Sequence, residues 1–191
     1  MDYQLSKEEK IFLLKLARQT IHHFLKNEPL PKPDYFSQTL KEKAGAFVTL
    51  HIDGNLRGCI GYVAAIKPLQ DAVSDLAISA AFNDPRFQPL TLPEFEKIDI
   101  EISVLTPLER VDNVSEIQVG RDGLLIRQPP FEGLLLPQVA VEYNWDTETF
   151  LRETCHKAGL PGDCWSEGRT EIYKFQALIF SEHDFSKDEL K

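Results

Sequence analysis

The sequence predicts an α+β protein with mixed or antiparallel sheets and flanking helices, on three observations. Apolar residues recur at helical spacing in some segments and at strand spacing in others, and the two kinds are interleaved along the chain. An Asp53-Gly54 pair separates two β-capable runs, the mark of a hairpin, which argues against a doubly wound parallel sheet. No internal repeat or low-complexity tract is present. The 191 residues, 42% hydrophobic and 27% charged, suit one globular domain, or one domain carrying a smaller satellite.

The elements follow in order. Ser6-Lys7-Glu8-Glu9 reads as a capping box, and Ile11, Leu14, Ala17, Ile21, Phe24 and Leu25 then mark one face of a helix. That helix is expected to stop near Asn27, ahead of Pro29, Pro31 and Pro33. Residues 46–52 read as a strand, Asp53-Gly54 as a type I′ turn, and 55–63 as the return strand. Pro68 suits the first turn of a helix whose small apolar residues (Ala72, Ala77, Ala80) permit close approach to a sheet. Asn83-Asp84-Pro85-Arg86-Phe87 ends it, because the residue before a proline avoids helical ψ. Residues 98–105 alternate cleanly as a half-buried strand. Residues 119–127 are a turn into another strand, Pro129-Pro130 and Gly133 mark a loop, and Pro137 interrupts Leu134-Leu135-Leu136. A helix is expected from about Thr147 to Lys157, capped by Asp146 and stopped by Gly159. One strand is expected over 172–180, followed by a polar, frayed tail.

Composition excludes some classes of function. A formal net charge of -9, from 21 basic and 30 acidic residues, repels phosphate backbones, and no basic stripe offsets it. No apolar run approaches the ~20 residues a membrane helix needs. Met1 to Lys10 is polar and charged, unlike a secretory signal, and Lys191 spoils a terminal retention motif. Three cysteines without a signal peptide are expected to be reduced thiols in a cytoplasmic protein. Phosphate-binding, nucleotide-binding, serine-hydrolase and zinc-protease motifs are absent, and no cofactor is expected.

Three segments carry candidate chemistry. In Arg57-Gly58-Cys59-Ile60-Gly61, strand alternation puts Arg57 and Cys59 on one face, where a guanidinium would lower the thiol's pKa. Gly58 and Gly61 would let a ligand or another backbone come close. The competing reading makes Cys59 a small core hydrophobe and the glycines packing devices. Asp84 and Arg86 sit at a helix end, either to bind a ligand or to hold a turn with Phe87 as its anchor. In 136–142, Pro137 would break strand pairing and expose Gln138 and Glu142, the latter a proton acceptor, an arginine partner or a plain surface glutamate. Cys155, His156 and Cys164 match no zinc spacing, so no metal is expected.

Leu56-Arg57-Gly58-Cys59-Ile60-Gly61 resembles the signature of the AMMECR-domain family, whose bacterial and archaeal members are called AmmeMemoRadiSam system protein A. The likeness continues through 84–87, 102–105, 135–140, Glu142, Trp145-Asp146 and 157–160, covering about residues 8 to 181. It implies one AMMECR domain over 8–181, made of two unequal, interleaved subdomains with a cleft, and a tail over 182–191. It also implies a cytoplasmic protein that works with a Memo-like protein and a radical SAM enzyme. Its characteristic positions fall on Arg57, Gly58, Cys59, Gly61, Asp84, Arg86, Phe87, Pro137, Gln138 and Glu142. On this reading Cys59 and Glu142 would be catalytic, and Arg57, Gly58, Gly61, Asp84, Arg86 and Gln138 would bind a small anionic or polar substrate. A non-catalytic binding or scaffold subunit for the same two partners is the alternative.

Overall fold

The structure, a computed structural model, describes residues 4–33, 37–166 and 168–190. Met1 to Tyr3 of the polar N-terminus and Lys191 of the expected tail lie outside the described residues. The chain divides into two compact units, one running to Leu105 and resuming at Leu178, the other spanning Thr106–Ala177.

In the first unit, α1 (Lys7–Leu25) begins on the expected capping box, with Ser6 accepting from the Glu9 N–H and Glu9 reaching back to the Ser6 N–H. Asn27 follows with a φ of 52°. The buried face of α1 carries Leu13, Leu14, Leu16, Ala17 and Ile21, whereas Phe24 is exposed. After the short α2 (Gln38–Lys41), β1 (Gly45–Ile52) and β2 (Asn55–Tyr62) form the predicted hairpin. Asp53 and Gly54 take φ values of 51° and 76°, as a type I′ turn requires. Next come α3 (Leu69–Phe82), α4 (Leu92–Phe95) and β3 (Ile98–Leu105). The sheet order is β2-β1-β3-β8, with β8 covering Ala177–Ser181. Even-numbered residues of β1 and β3 (Val48, Leu50, Ile100, Ile102) are fully buried in one core with α1 and α3. Each such aliphatic side chain contributes roughly 1.5–3 kcal/mol by leaving water.

The second unit holds β4 (Glu109–Arg110), β5 (Gly123–Gln128), β6 (Phe131–Leu135), α5 (Pro137–Glu142), α6 (Thr147–Lys157) and β7 (Glu171–Phe175), its sheet ordered β4-β7-β5-β6. Asp146 caps α6 by accepting from the Thr149 N–H at 2.8 Å. Phe150 and Leu151 of α6 enter a separate core with Leu124 and Ile126 of β5.

Several expectations are corrected. The single strand over 172–180 is two strands in two sheets, divided at Gln176, because the run carries apolar side chains on both sides of that break and sequence alone shows no turn there. Pro137 does not expose a broken strand: it opens α5, where a missing N–H costs nothing. Gly133 lies inside β6 instead of a loop. Cys155 and Cys164 are not free thiols; they form a disulfide across nine positions of sequence, both buried. The tail is not frayed. Glu182 takes the Arg18 guanidinium at 2.5 Å and the Ile100 N–H at 2.9 Å, and Phe185 and Leu190 pack on the first core. No described helix is long and apolar enough to cross a membrane.

Candidate functional site

The signature segment is β2, an edge strand of its sheet. Its register against β1 slips between Leu50, which faces Gly58, and His51, which faces Leu56. Arg57 is therefore the extra residue of a β-bulge. The bulge breaks the two-residue alternation, so the expected common face of Arg57 and Cys59 is not formed. Arg57 turns instead to the chain after α3. Its Nε and Nη2 donate to Glu94 at 2.9 and 3.2 Å, Nη2 also donates to the Gln88 carbonyl at 2.9 Å, and the guanidinium lies 5.7 Å from the Phe87 ring centre. The Arg57 hydrogen bonds hold the Glu94 carboxyl at a pKa of about 2. Arg57 Nη1 is buried and has no partner among the described residues.

Cys59 lies opposite Thr49. Its N–H donates outward to Asp84 Oδ2 at 2.9 Å, and its carbonyl accepts from Arg86 Nη2 at 3.2 Å. Both backbone groups point away from β1, so Cys59 and Thr49 are a non-hydrogen-bonded pair, the kind whose side chains stand closest. Accordingly the Thr49 hydroxyl donates to Cys59 Sγ at 3.2 Å.

Asp84 is the hub. Its side chain is 2% exposed, and it accepts from the Arg86 N–H, Nε and Nη2 at 3.1, 3.0 and 2.7 Å as well as from Cys59. Hydrogen bonding by Arg86 outweighs burial and brings its pKa to about 2. Arg86 remains half-exposed, its guanidinium 5.5 Å from the Phe87 ring centre. The turn at 84–87 thus satisfies the outward N–H and C=O of Cys59 on the free edge of β2, where another strand would otherwise bond.

The two glycines make close approaches within the chain itself. A Cβ on Gly58 would stand 2.1 Å from the Ala80 carbonyl oxygen of α3, and one on Gly61 would meet the Phe47 ring at 2.2 Å. These contacts account for both glycines without a ligand.

Cys59 is neither sealed nor open; it is partly buried and in no disulfide. Burial pushes its thiol pKa up, while the Thr49 hydrogen bond and the Arg86 charge pull it back, and Asp84 and Glu101 push it further up. The expected lowering of this pKa by a neighbouring arginine is not found, because loss of water dominates and Arg86 is already paired. Glu101 went unnoticed in the sequence: strand alternation reads it as a solvent-facing acid. It pairs with Thr49 on the other side from Cys59, and burial raises its carboxyl pKa, with His51 lowering it and Asp184 raising it. The only sequence signal is an acid on the polar face of a strand, which says nothing until that strand is known to be internal.

Gln138 and Glu142 lie in the second unit, on α5. Gln138 Oε1 is buried with no partner among the described residues, and Glu142 is exposed at the helix end. No cluster of three or more potential metal ligands occurs among the described residues.

The model of the AMMECR1 family matches residues 14–180. The chain is 49% identical over 185 residues to a protein of Methanothermobacter thermautotrophicus, covering 93% of this chain and 96% of that one. It is 47% identical over 191 residues to a protein of Pyrococcus furiosus, covering 94% and 91%. The fold is similar to the crystal structure of an uncharacterised protein from Pyrococcus horikoshii, with a TM-score of 0.85, 46% identity and 90% of each chain covered.

Proposed function

The chain belongs to the AMMECR1 family, and from that premise we propose that it is a cytoplasmic component A of the AmmeMemoRadiSam system, an enzyme or enzyme subunit that engages a small anionic or polar substrate at Cys59. The observation that carries this reading is the thiol itself: free, partly accessible, and fixed by a hydroxyl donor on sulfur and a rigid turn on its backbone. A hydrogen bond donated to sulfur favours the thiolate once a base removes the proton. The arginines support a polar substrate in a limited way. Each already holds a carboxylate of this chain, so the guanidiniums offer donors more than net charge. Arg57 keeps a buried Nη1 without a partner among the described residues, and the half-exposed Arg86 can donate to a substrate carboxylate while it still holds Asp84. Gln138 and Glu142 belong to the second unit and take no part in this reading.

The test is retention of a metabolite. Small molecules released by denaturing the purified wild-type protein and Cys59→Ser are compared by mass spectrometry. A polar species is expected from the wild type and is lost in the variant; identical profiles overturn the reading.

A scaffold role for a Memo-like protein and a radical SAM enzyme is favoured by a different observation. Val141 and Tyr143 of the second unit are exposed at 54% and 61%, and the Tyr143 ring stacks on Trp145 at 5.2 Å. Exposed aromatics of this kind suit a protein interface. Copurification of either partner with Cys59→Ser as well as with wild type would support that role.

A further inference from the structure

We propose that Glu101 is the proton acceptor for Cys59, with the Thr49 hydroxyl placed between them; this deepens the reading of Cys59 as a reactive thiol and rests on it. The argument starts from register. Thr49 is the cross-strand partner of Cys59 on β2 and of Glu101 on β3, so the three residues form one row across three adjacent strands. Partners in a register share a face of the sheet, and this is the face opposite the α1 and α3 core. Thr49 sits in the middle and already donates to Cys59 Sγ at 3.2 Å. One step along β3 on the same face, Ser103 is 1% exposed and its hydroxyl has no partner among the described residues. A buried hydroxyl without a partner is rare, and here it adds a further polar group beside the row on the same face.

The charges acting on the row are few. Arg86, Asp84 and Glu101 act on the thiol, and His51 and Asp184 act on Glu101. Burial disfavours the charged form of both the thiol and the carboxyl. Transfer of the proton between them avoids much of that penalty, because it moves one negative charge instead of creating one. In the step the Thr49 hydroxyl turns to accept from the Cys59 S–H and to donate to Glu101. The S–H bond then breaks as an O–H bond forms on Thr49, whose own hydroxyl proton passes to the Glu101 carboxylate. The electron pair stays on sulfur, and the Thr49 hydroxyl is left donating to the thiolate, the direction it takes toward Sγ in the structure. No other reactant is needed.

The test reads thiol alkylation by iodoacetamide, a neutral probe, from pH 5 to 10 without reductant. Under those conditions Cys155 and Cys164 are bonded to each other, so the signal belongs to Cys59. The wild type is expected to show a shoulder on the acid side of the thiol titration, where thiolate and protonated carboxyl coexist. A single titration without that shoulder overturns the proposal and needs no variant. Glu101→Gln is expected to lose the shoulder and to react about tenfold slower or less at pH 7. An unchanged or faster rate overturns the proposal, since faster reaction is what loss of a neighbouring negative charge alone would give. Thr49→Val is expected to slow the reaction at every pH below the thiol titration, and an unchanged rate overturns the place given to Thr49. Failure here is separable from failure of the substrate reading. A coupled Cys59 that retains no metabolite removes only the substrate, and a retained metabolite with uncoupled kinetics removes only Glu101.

Discussion

A carboxylate that accepts four hydrogen bonds while 2% exposed, as Asp84 does, is tied to its site more firmly than any other residue of the signature. Asp84→Asn keeps the shape but loses the charge that Arg86 and the Cys59 N–H both use. It is expected to destabilise the protein by about 2–3 kcal/mol, read as a lower urea midpoint at pH 7 with unchanged slope. A change below ~0.5 kcal/mol would show that Arg86 finds equal solvation elsewhere. Part of this was legible in the sequence. An Asp two residues before an Arg at a helix end suggests a local pair, and the pair is present. That the same carboxylate also holds the backbone of Cys59, 25 positions away, is not written in any local pattern. Glu101 makes the same point from the other side, since its alternation is plain and its partners are not.

Among the elements, β2 shows what one extra residue does. Up to Leu56 and again from Gly58 the strand pairs regularly, but Arg57 has no opposite number, and the guanidinium swings to Glu94 at the start of the next helical segment. Glu94 is itself held by the N–H and hydroxyl of Thr91, so the edge of β2, the turn at 84–87 and α4 form one clamp. Against the other side of β2, α3 approaches so closely that the Ala80 carbonyl occupies the place of a Cβ at position 58. Gly58→Ala is expected to lower the unfolding midpoint by the equivalent of about 1–3 kcal/mol, the cost of overpacking. Retention of wild-type stability would mean that α3 moves aside freely. Element existence was readable where periodicity was long: α1, the hairpin, α3, β3 and α6 all stand where the pattern puts them. Boundaries failed where two strands abut at Gln176 and where a proline that looked like an interruption started a helix.

For the molecule as a whole, acid is the informative variable. Asp84 and Glu94 have pKa values of about 2 in the folded protein, below their ordinary 3.8 and 4.5. A carboxyl whose pKa falls on folding adds stability that is complete above the ordinary value and is lost as pH falls toward the folded one. Glu101 has the opposite sign, because its raised pKa means that stability declines as pH rises through its titration. The Tm is therefore expected to drop steeply between pH 4.5 and 2, and Asp84→Asn is expected to flatten that drop in calorimetry. An equally steep profile in the variant would place the acid sensitivity elsewhere. Sequence alone determined the α+β class, the hairpin turn, the capped helices and the family, because these rest on short-range periodicity, turn chemistry and ordered motifs. Tertiary structure decided which charges meet, which cysteines bond, where Arg57 points and which acid stands behind the thiol. Those depend on strand register and on contacts between residues tens of positions apart, which no local spacing encodes.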